Sequence, residues 1–229
     1  MTTVPSRPLQ PGDQAPGFTL PAVNRDGIVG LEDYRGKGPV LVGLFRGLHC
    51  PFCRRQVAQL GITRDKLAQQ GVETLAIVNT PAERARQYFL YRPTRVLLAA
   101  DPEVQTHRAF GLPKIGFVPD ETEPAELHWP ERTTMAQFLV GRFNPTGELP
   151  EPQNIPQAMD TLNQKDGFEP TEADQQIIAA HFSQLTGHFL IDARGTIRWA
   201  RVEGEEGPND LVNFPSDGDI LAAVEAMSR

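Results

Sequence analysis

Val40-Leu41-Val42-Gly43-Leu44-Phe45 leads through Arg46-Gly47-Leu48-His49 into Cys50-Pro51-Phe52-Cys53, and from there into Arg54-Arg55-Gln56-Val57-Ala58-Gln59-Leu60. The first six residues form a short apolar run with the composition of a buried strand. The last seven read as the beginning of a helix, with Pro51 at the first helical position. Cys50 and Cys53 are the only two cysteines of the chain. A dithiol with this spacing, placed where a strand hands over to a helix, reads as a redox pair.

The placement suits thiol chemistry. With Cys50 as the N-cap and Cys53 three residues on, both side chains face the same way, so a disulfide closes with little backbone movement. The Cys50 sulfur then receives unpaired N–H groups of the first turn, including that of Cys53. A helix N-terminus favours an anion by up to about 2 kcal/mol, which is about 1.5 pKa units. Arg46, His49, Arg54 and Arg55 add positive charge nearby in sequence. The expectation is a Cys50 thiolate well below the ordinary thiol range and a Cys53 that stays a thiol until it resolves an intermediate.

Working outward, the chain has 229 residues, 39% hydrophobic and 22% charged, which fits one soluble domain with room for an insertion. A net charge of -7 excludes a general nucleic-acid binder and an anionic membrane surface. No apolar run approaches the roughly 18 residues that span a bilayer. Met1–Gly12 is polar and proline-rich, without the apolar stretch of a secretory leader, so a cytoplasmic location is expected. In that compartment a close cysteine pair is a reversible redox pair rather than a staple.

After a loop at Pro11–Pro16 and a short strand around Phe18–Leu20, strand and helix signals alternate. Helical spacing at Val57, Leu60, Ile62 and Leu67 runs to a stop at Gly71, and Val72–Val78 is a second buried strand. Thr80-Pro81-Ala82-Glu83 has the capping-box pattern, Arg95–Ala100 is a third strand, and Asp101-Pro102 opens a helix ending near Gly111. This order implies an α/β fold with a parallel or mixed central sheet. Residues 112–185 interrupt it. They read as a mostly helical insertion, with periodicity over Thr134–Phe143, Ile155–Asn163 and Glu172–Leu185. A hairpin of His188–Asp192 and Thr196–Val202 and a helix over Ser216–Ser228 close a single domain of residues 1–229.

Thr80, Asp101 and Thr171 are read as helix caps, Asp192 and Gly195 as turn residues, and Trp129 and Trp199 as packing. Glu203, Glu205 and Glu206 are read as a solvated acidic loop. A zinc site would need two more ligands at matching spacing, and His49, His107, His128, His181 and His188 offer no such pair.

Several of these stretches resemble one group of proteins. Pro11–Leu20, Phe45–Arg54 with its Cys-x-x-Cys, Asp101–Leu112 and the Phe189-Leu190-Ile191-Asp192 hairpin are similar to the peroxiredoxin-like (alkyl hydroperoxide reductase and thiol-specific antioxidant) branch of the thioredoxin superfamily. The resemblance covers roughly Pro11–Leu112 and Gly187–Val202. It implies a thioredoxin-like fold, with a central mixed sheet flanked by helices, and an antioxidant oxidoreductase with Cys50 as the peroxide-attacking thiol and Cys53 as the resolving one. Arg46, His49, Pro51 and Thr186 would support them, with no cofactor and no metal. The chain departs from the family at three positions. Gly43 and Gly47 stand where a proline and a threonine are usual, and Thr186 where an arginine is usual. Activation of a peroxide would then fall to backbone donors at the helix start and to Arg46.

The implied partners are a peroxide or disulfide substrate and a cellular thiol reductant of the thioredoxin or glutathione type, and a homodimer is an option left open. Two other readings stand beside the peroxidase. One is a thiol-disulfide oxidoreductase acting on protein or glutathione disulfides. The other is a redox-inactive interaction scaffold that uses its inserted segment.

Overall fold

A computed structural model of the protein describes residues 5–227. Residues 1–4 of the polar opening segment and Ser228, the expected end of the last helix, lie outside the described residues. In chain order the core elements are β1 (Thr19–Pro21), β2 (Ile28–Gly30), β3 (Val40–Phe45), α1 (Pro51–Gln69), β4 (Glu73–Val78), α2 (Ala82–Tyr91), β5 (Leu97–Ala100) and α3 (Gln105–Ala109). Residues 112–185 then carry β6 (Phe117–Val118), β7 (Thr133–Thr134), α4 (Met135–Val140), α5 (Ile155–Lys165) and α6 (Glu172–His181), joined by long loops, so the segment is mostly loop and not the mostly helical insertion expected. The hairpin β8 (Gly187–Ile191) and β9 (Ile197–Val202) and helix α7 (Asp217–Met227) complete the chain.

The central sheet has the order β5-β4-β3-β8-β9. β3 pairs in parallel with β4 and antiparallel with β8, so the sheet is mixed, as expected. All six residues of β3 are buried, which is why the strand reads as a continuous apolar run. Alternation sorts them between two layers. Val40, Val42 and Leu44 pack with Leu75, Ile77, Phe110 and Phe189 on one face, and Leu41 and Phe45 join Val57, Leu60, Leu67 and Leu190 on the other. Each such large side chain, fully buried, contributes about 1.5–3 kcal/mol. Gly43 lies on the Phe45 side, and a Cβ there would stand 2.6 Å from that ring. The ring fills the space a side chain at 43 would need.

Four local expectations are corrected. Ile62 is 61% exposed although Val57, Leu60 and Leu67 are buried. At about 100° per residue, Ile62 sits some 200° round the helix from Leu60, outside the apolar stripe. Thr80 does not cap α2, whose N-cap is Pro81 without a side-chain bond. Its hydroxyl instead accepts from the Leu48 N–H at 3.0 Å, bracing the loop before the cysteines. Helix α6 ends at His181, short of Leu185, because Gln184 leaves the helical path. Its side chain donates to the Leu112 and Pro113 carbonyls, and its own carbonyl accepts from Arg46. Asp101 is not the N-cap of α3, which is Val104, because the helix starts only at Gln105; its carboxylate still accepts from the N–H groups of Gln105 and Thr106. Thr171 forms a full capping box with Asp174, as expected.

The 112–185 segment is fastened to α1 by charge. Arg54 pairs with Asp166 and donates to Asn163 Oδ1 at 2.9 Å, with its guanidinium 4.4 Å from the Phe168 ring centre. Arg55 bridges Glu148 at 2.6 Å and Asp166 at 2.9 Å. The buried carboxylate of Asp174 pairs with half-buried Arg84 at 2.7 Å and ties α6 to α2.

Three buried histidines give the fold a pH signature. Burial lowers His49 to about 4, with the Arg46 charge adding to it, and lowers His107 to about 4 and His188 to about 3. Below an ordinary value near 6.5 the unfolded chain takes up these protons first, so stability falls as pH falls from about 6.5 towards 4. Each histidine adds up to about 1.4 kcal/mol per pH unit. Chemical denaturation across that window is expected to show a slope of more than one proton. A flat profile would refute neutral burial of these rings.

Candidate active site

The site is assembled where β3 ends. Cys50 has extended backbone angles (φ -84, ψ 104) and is the N-cap of α1, with Pro51 opening the helix. Pro51 fits there because it brings no N–H to a turn whose first amides lack partners. The Cys50 sulfur accepts a hydrogen bond from the Cys53 N–H at 3.2 Å, the arrangement the spacing predicts. Both cysteines are free thiols and both are buried.

Burial alone would raise the Cys50 thiol. The hydrogen bond from the Cys53 thiol, the charge and hydrogen bond of Arg46, and the Cys53 backbone N–H outweigh it and bring Cys50 down to about 6. Cys53 moves the opposite way, well above the ordinary range, through burial and the neighbouring Cys50. The pair is therefore split into one thiolate and one thiol.

Arg46 is the cation that matters. It is 8% exposed and makes a two-pronged ion pair with Glu203, Nη2 to Oε1 at 2.7 Å and Nη1 to Oε2 at 2.9 Å. Nη1 also donates to the Gln184 carbonyl at 3.0 Å. Glu203 accepts in addition from the Thr186 N–H (3.1 Å), the Thr186 hydroxyl (3.0 Å) and the Val212 N–H (2.8 Å). Thr186, at the position where an arginine is usual, thus serves the site by holding the carboxylate that holds Arg46.

This corrects the reading of Glu203 as part of a solvated loop. Its neighbours Glu205 and Glu206 are exposed, but Glu203 is 2% exposed because it meets a guanidinium 157 residues away in sequence. No local pattern signals that. The available clue was indirect: a buried arginine after an apolar strand needs a carboxylate.

His49 is corrected too. Kept neutral near pH 7, it adds no positive charge to favour a thiolate. Arg54 and Arg55 spend their charge on Asp166 and Glu148. Arg54 also donates to the Leu48 carbonyl, so it fixes the loop before Cys50 instead of facing the sulfur. Gly47, where a threonine is usual, has no room for one. A Cβ there would lie 2.8 Å from Asn79 Oδ1, 2.9 Å from Thr80 Oγ1 and 3.1 Å from His49 Nδ1.

A model of the AhpC/TSA family matches residues 11–137, more than half of the chain. The chain belongs to the AhpC/TSA family. Two proteins of Mycobacterium tuberculosis strains, provisionally named as peroxiredoxins, are 31% identical to this AhpC/TSA chain over 106 residues. That match covers 45% of the chain and 64% of each relative, so the chain spans less than two thirds of their length. Among solved structures, the peroxidoxin BcpB of Mycobacterium tuberculosis has a TM-score of 0.55 at 12% identity, covering 96% of this chain and 97% of that one. The reduced 2-Cys peroxiredoxin of Plasmodium vivax gives 0.56 at 15% identity with the same coverage. These likenesses establish the thioredoxin-like fold for this AhpC/TSA member. Among the described residues no helix is long and apolar enough to cross a membrane.

Proposed function

We propose that the protein is a thiol-dependent peroxidase of a reducing, cytoplasmic compartment, built as one thioredoxin-like domain with residues 112–185 inserted. The observation that carries this reading is the Cys50 sulfur itself. It caps a helix, is bonded by the Cys53 N–H, and is lowered to about 6 beside a locked arginine.

The Cys50 thiolate attacks the terminal oxygen of a hydroperoxide. A sulfur–oxygen bond forms, the O–O bond breaks, and Cys50 is oxidised to a sulfenic acid. The leaving alkoxide or hydroxide takes a proton from water, and Arg46 stabilises its charge as it develops. The Cys53 thiol then displaces hydroxide from the sulfenic sulfur, giving a Cys50–Cys53 disulfide and water once a proton is added. A cellular thiol of the thioredoxin or glutathione type returns both sulfurs to the reduced state.

Cys50 is buried in the reduced protein, which favours a small oxidant for the first step. Rapid mixing of the reduced protein with stoichiometric peroxide, followed by mass spectrometry, tests the reading. The expected sequence is a transient gain of one oxygen on Cys50, then loss of two hydrogens across Cys50 and Cys53. Slow oxidation by peroxide with fast exchange against disulfides would replace the peroxidase by a disulfide oxidoreductase.

A further inference from the structure

Attack on a hydroperoxide leaves an alkoxide or hydroxide inside a buried site, and that oxygen needs a hydrogen-bond donor as its charge develops. Arg46 supplies charge but has little left to donate. Its Nη1 and Nη2 are committed to Glu203 and the Gln184 carbonyl, and it also bonds the Cys50 sulfur. A cavity of about 330 Å³ adjoins Arg46, and two other polar residues around it are already engaged. Glu203 is an acceptor, and the Asn163 amide is held by Arg54 and the His49 carbonyl.

His49 is different. It directly precedes Cys50 and borders the same cavity. The residue is 3% exposed, yet neither ring nitrogen has a hydrogen-bond partner among the described residues. Leaving buried polar atoms unpaired is costly, so a fold that does so calls for a reason in its chemistry. Held neutral at pH 7, the imidazole keeps one N–H donor and one acceptor nitrogen. Nδ1 faces the notch at Gly47. A Cβ at 47 would lie 3.1 Å from Nδ1 and 2.8 Å from Asn79 Oδ1, so the ring and this amide meet at one point. Asn79 is fully buried, and neither of its amide atoms has a partner among the described residues. The amide is free to turn its NH₂ group to Nδ1. With Nδ1 as the acceptor, the ring proton sits on Nε2.

We propose that His49 is a catalytic residue whose Nε2–H donates to the oxygen that departs when Cys50 attacks, and that Asn79 is the positioning residue that sets its tautomer. The proposal rests on the peroxidase reading and adds a group to that reaction. As the sulfur–oxygen bond forms and the O–O bond breaks, sulfur is oxidised and the departing oxygen is reduced. That oxygen takes the Nε2 proton and leaves as water or an alcohol. The ring, flanked by the positive Arg46 and Arg54 and by one acid, Asp174, recovers its proton from water, and the hydroxide so formed passes to solvent. A neutral imidazole is a competent electrophile of this kind.

The test uses two oxidants whose leaving groups differ in what they need. Hydrogen peroxide leaves hydroxide, which must be protonated, whereas peracetic acid leaves acetate, which is stable as the anion at pH 7. Rapid mixing of each with the reduced, full-length protein gives the rate of Cys50 oxidation. His49→Phe, which keeps a ring in the buried place, is expected to slow the reaction with hydrogen peroxide at least about tenfold more than that with peracetic acid. His49→Gln, which returns an N–H donor, should recover part of the loss. The ultraviolet titration of Cys50 should not move in His49→Phe, since a neutral ring lends the thiolate no charge. Equal slowing with both oxidants, or a shifted titration that accounts for the loss, would overturn the proposal while leaving the peroxidase reading intact. The unaltered protein covers the case of variants that do not fold. In D₂O, with Cys50 fully ionised, its oxidation by hydrogen peroxide should slow more than that by peracetic acid, and equal slowing would again overturn the proposal. If neither compound oxidises Cys50 rapidly, both readings fall together.

Discussion

Arg46→Met is expected to cost the protein about 3–5 kcal/mol of stability, because it leaves Glu203 charged, buried and without its cation. The same change removes the charge and hydrogen bond that offset the burial of Cys50. At a value of about 6 the thiol is about nine-tenths ionised at pH 7. At the ordinary value near 8.5 it would be only a few per cent ionised, so oxidation at pH 7 should slow by at least about tenfold. Thiolate absorbance in the ultraviolet against pH, together with denaturant unfolding, reads both effects. A second variant separates them. Replacing the pair together, Arg46→Met with Glu203→Leu, removes the stranded charge and should recover much of the stability. It should not recover the thiolate. Were Cys50 to keep titrating near 6 in either variant, the helix start alone would suffice and Arg46 would be only structural.

Cys50→Ser is expected to abolish peroxide consumption, whereas Cys53→Ser should leave the first oxidation and change its product. The asymmetry follows from the split between the two sulfurs. Cys50 is lowered and receives the first-turn N–H, while Cys53 is held well above the ordinary thiol range and cannot stand in for it at neutral pH. In Cys53→Ser the backbone N–H at 53 still reaches the sulfur, but the hydrogen bond from the Cys53 thiol is altered, so oxidation should be slower and stop at the sulfenic acid. Mass spectrometry with a sulfenic-acid-selective reagent distinguishes the two products. Equal loss of oxidation in both variants would mean that the cysteines act as one unit, and the assignment of attacking and resolving roles would have to be dropped.

How much of this was legible in the sequence depended on how local each signal was. The strand, the cap and the helix at Val40–Leu60 could be read because a buried run, a proline at the first helical position and a cysteine spacing are all short-range features. The fold followed from the alternation around them. Glu203 was missed because its neighbours belong to an exposed acidic turn and its partner, Arg46, follows β3, 157 residues earlier in the chain. His49 was misread because adjacency to the cysteines says nothing of burial, and burial decided its charge. Arg54 and Arg55 looked like primers of the thiolate, yet their charge is taken by acids more than ninety residues further on. The cavity of about 330 Å³ next to Arg46 and His49 was unreadable for the same reason: most of its wall comes from separate parts of the inserted segment, closed off by Glu203 and Leu211.

The clasp between α1 and the inserted segment carries a consequence for how such a chain can be rebuilt. A shortened version lacking Glu148 and Asp166 would strand two guanidiniums one turn from the reactive sulfur, where they would disturb both solubility and titration. Any transplant of this segment onto another scaffold must therefore carry the Arg54-Arg55 dipeptide with it, as lock and key of a single module.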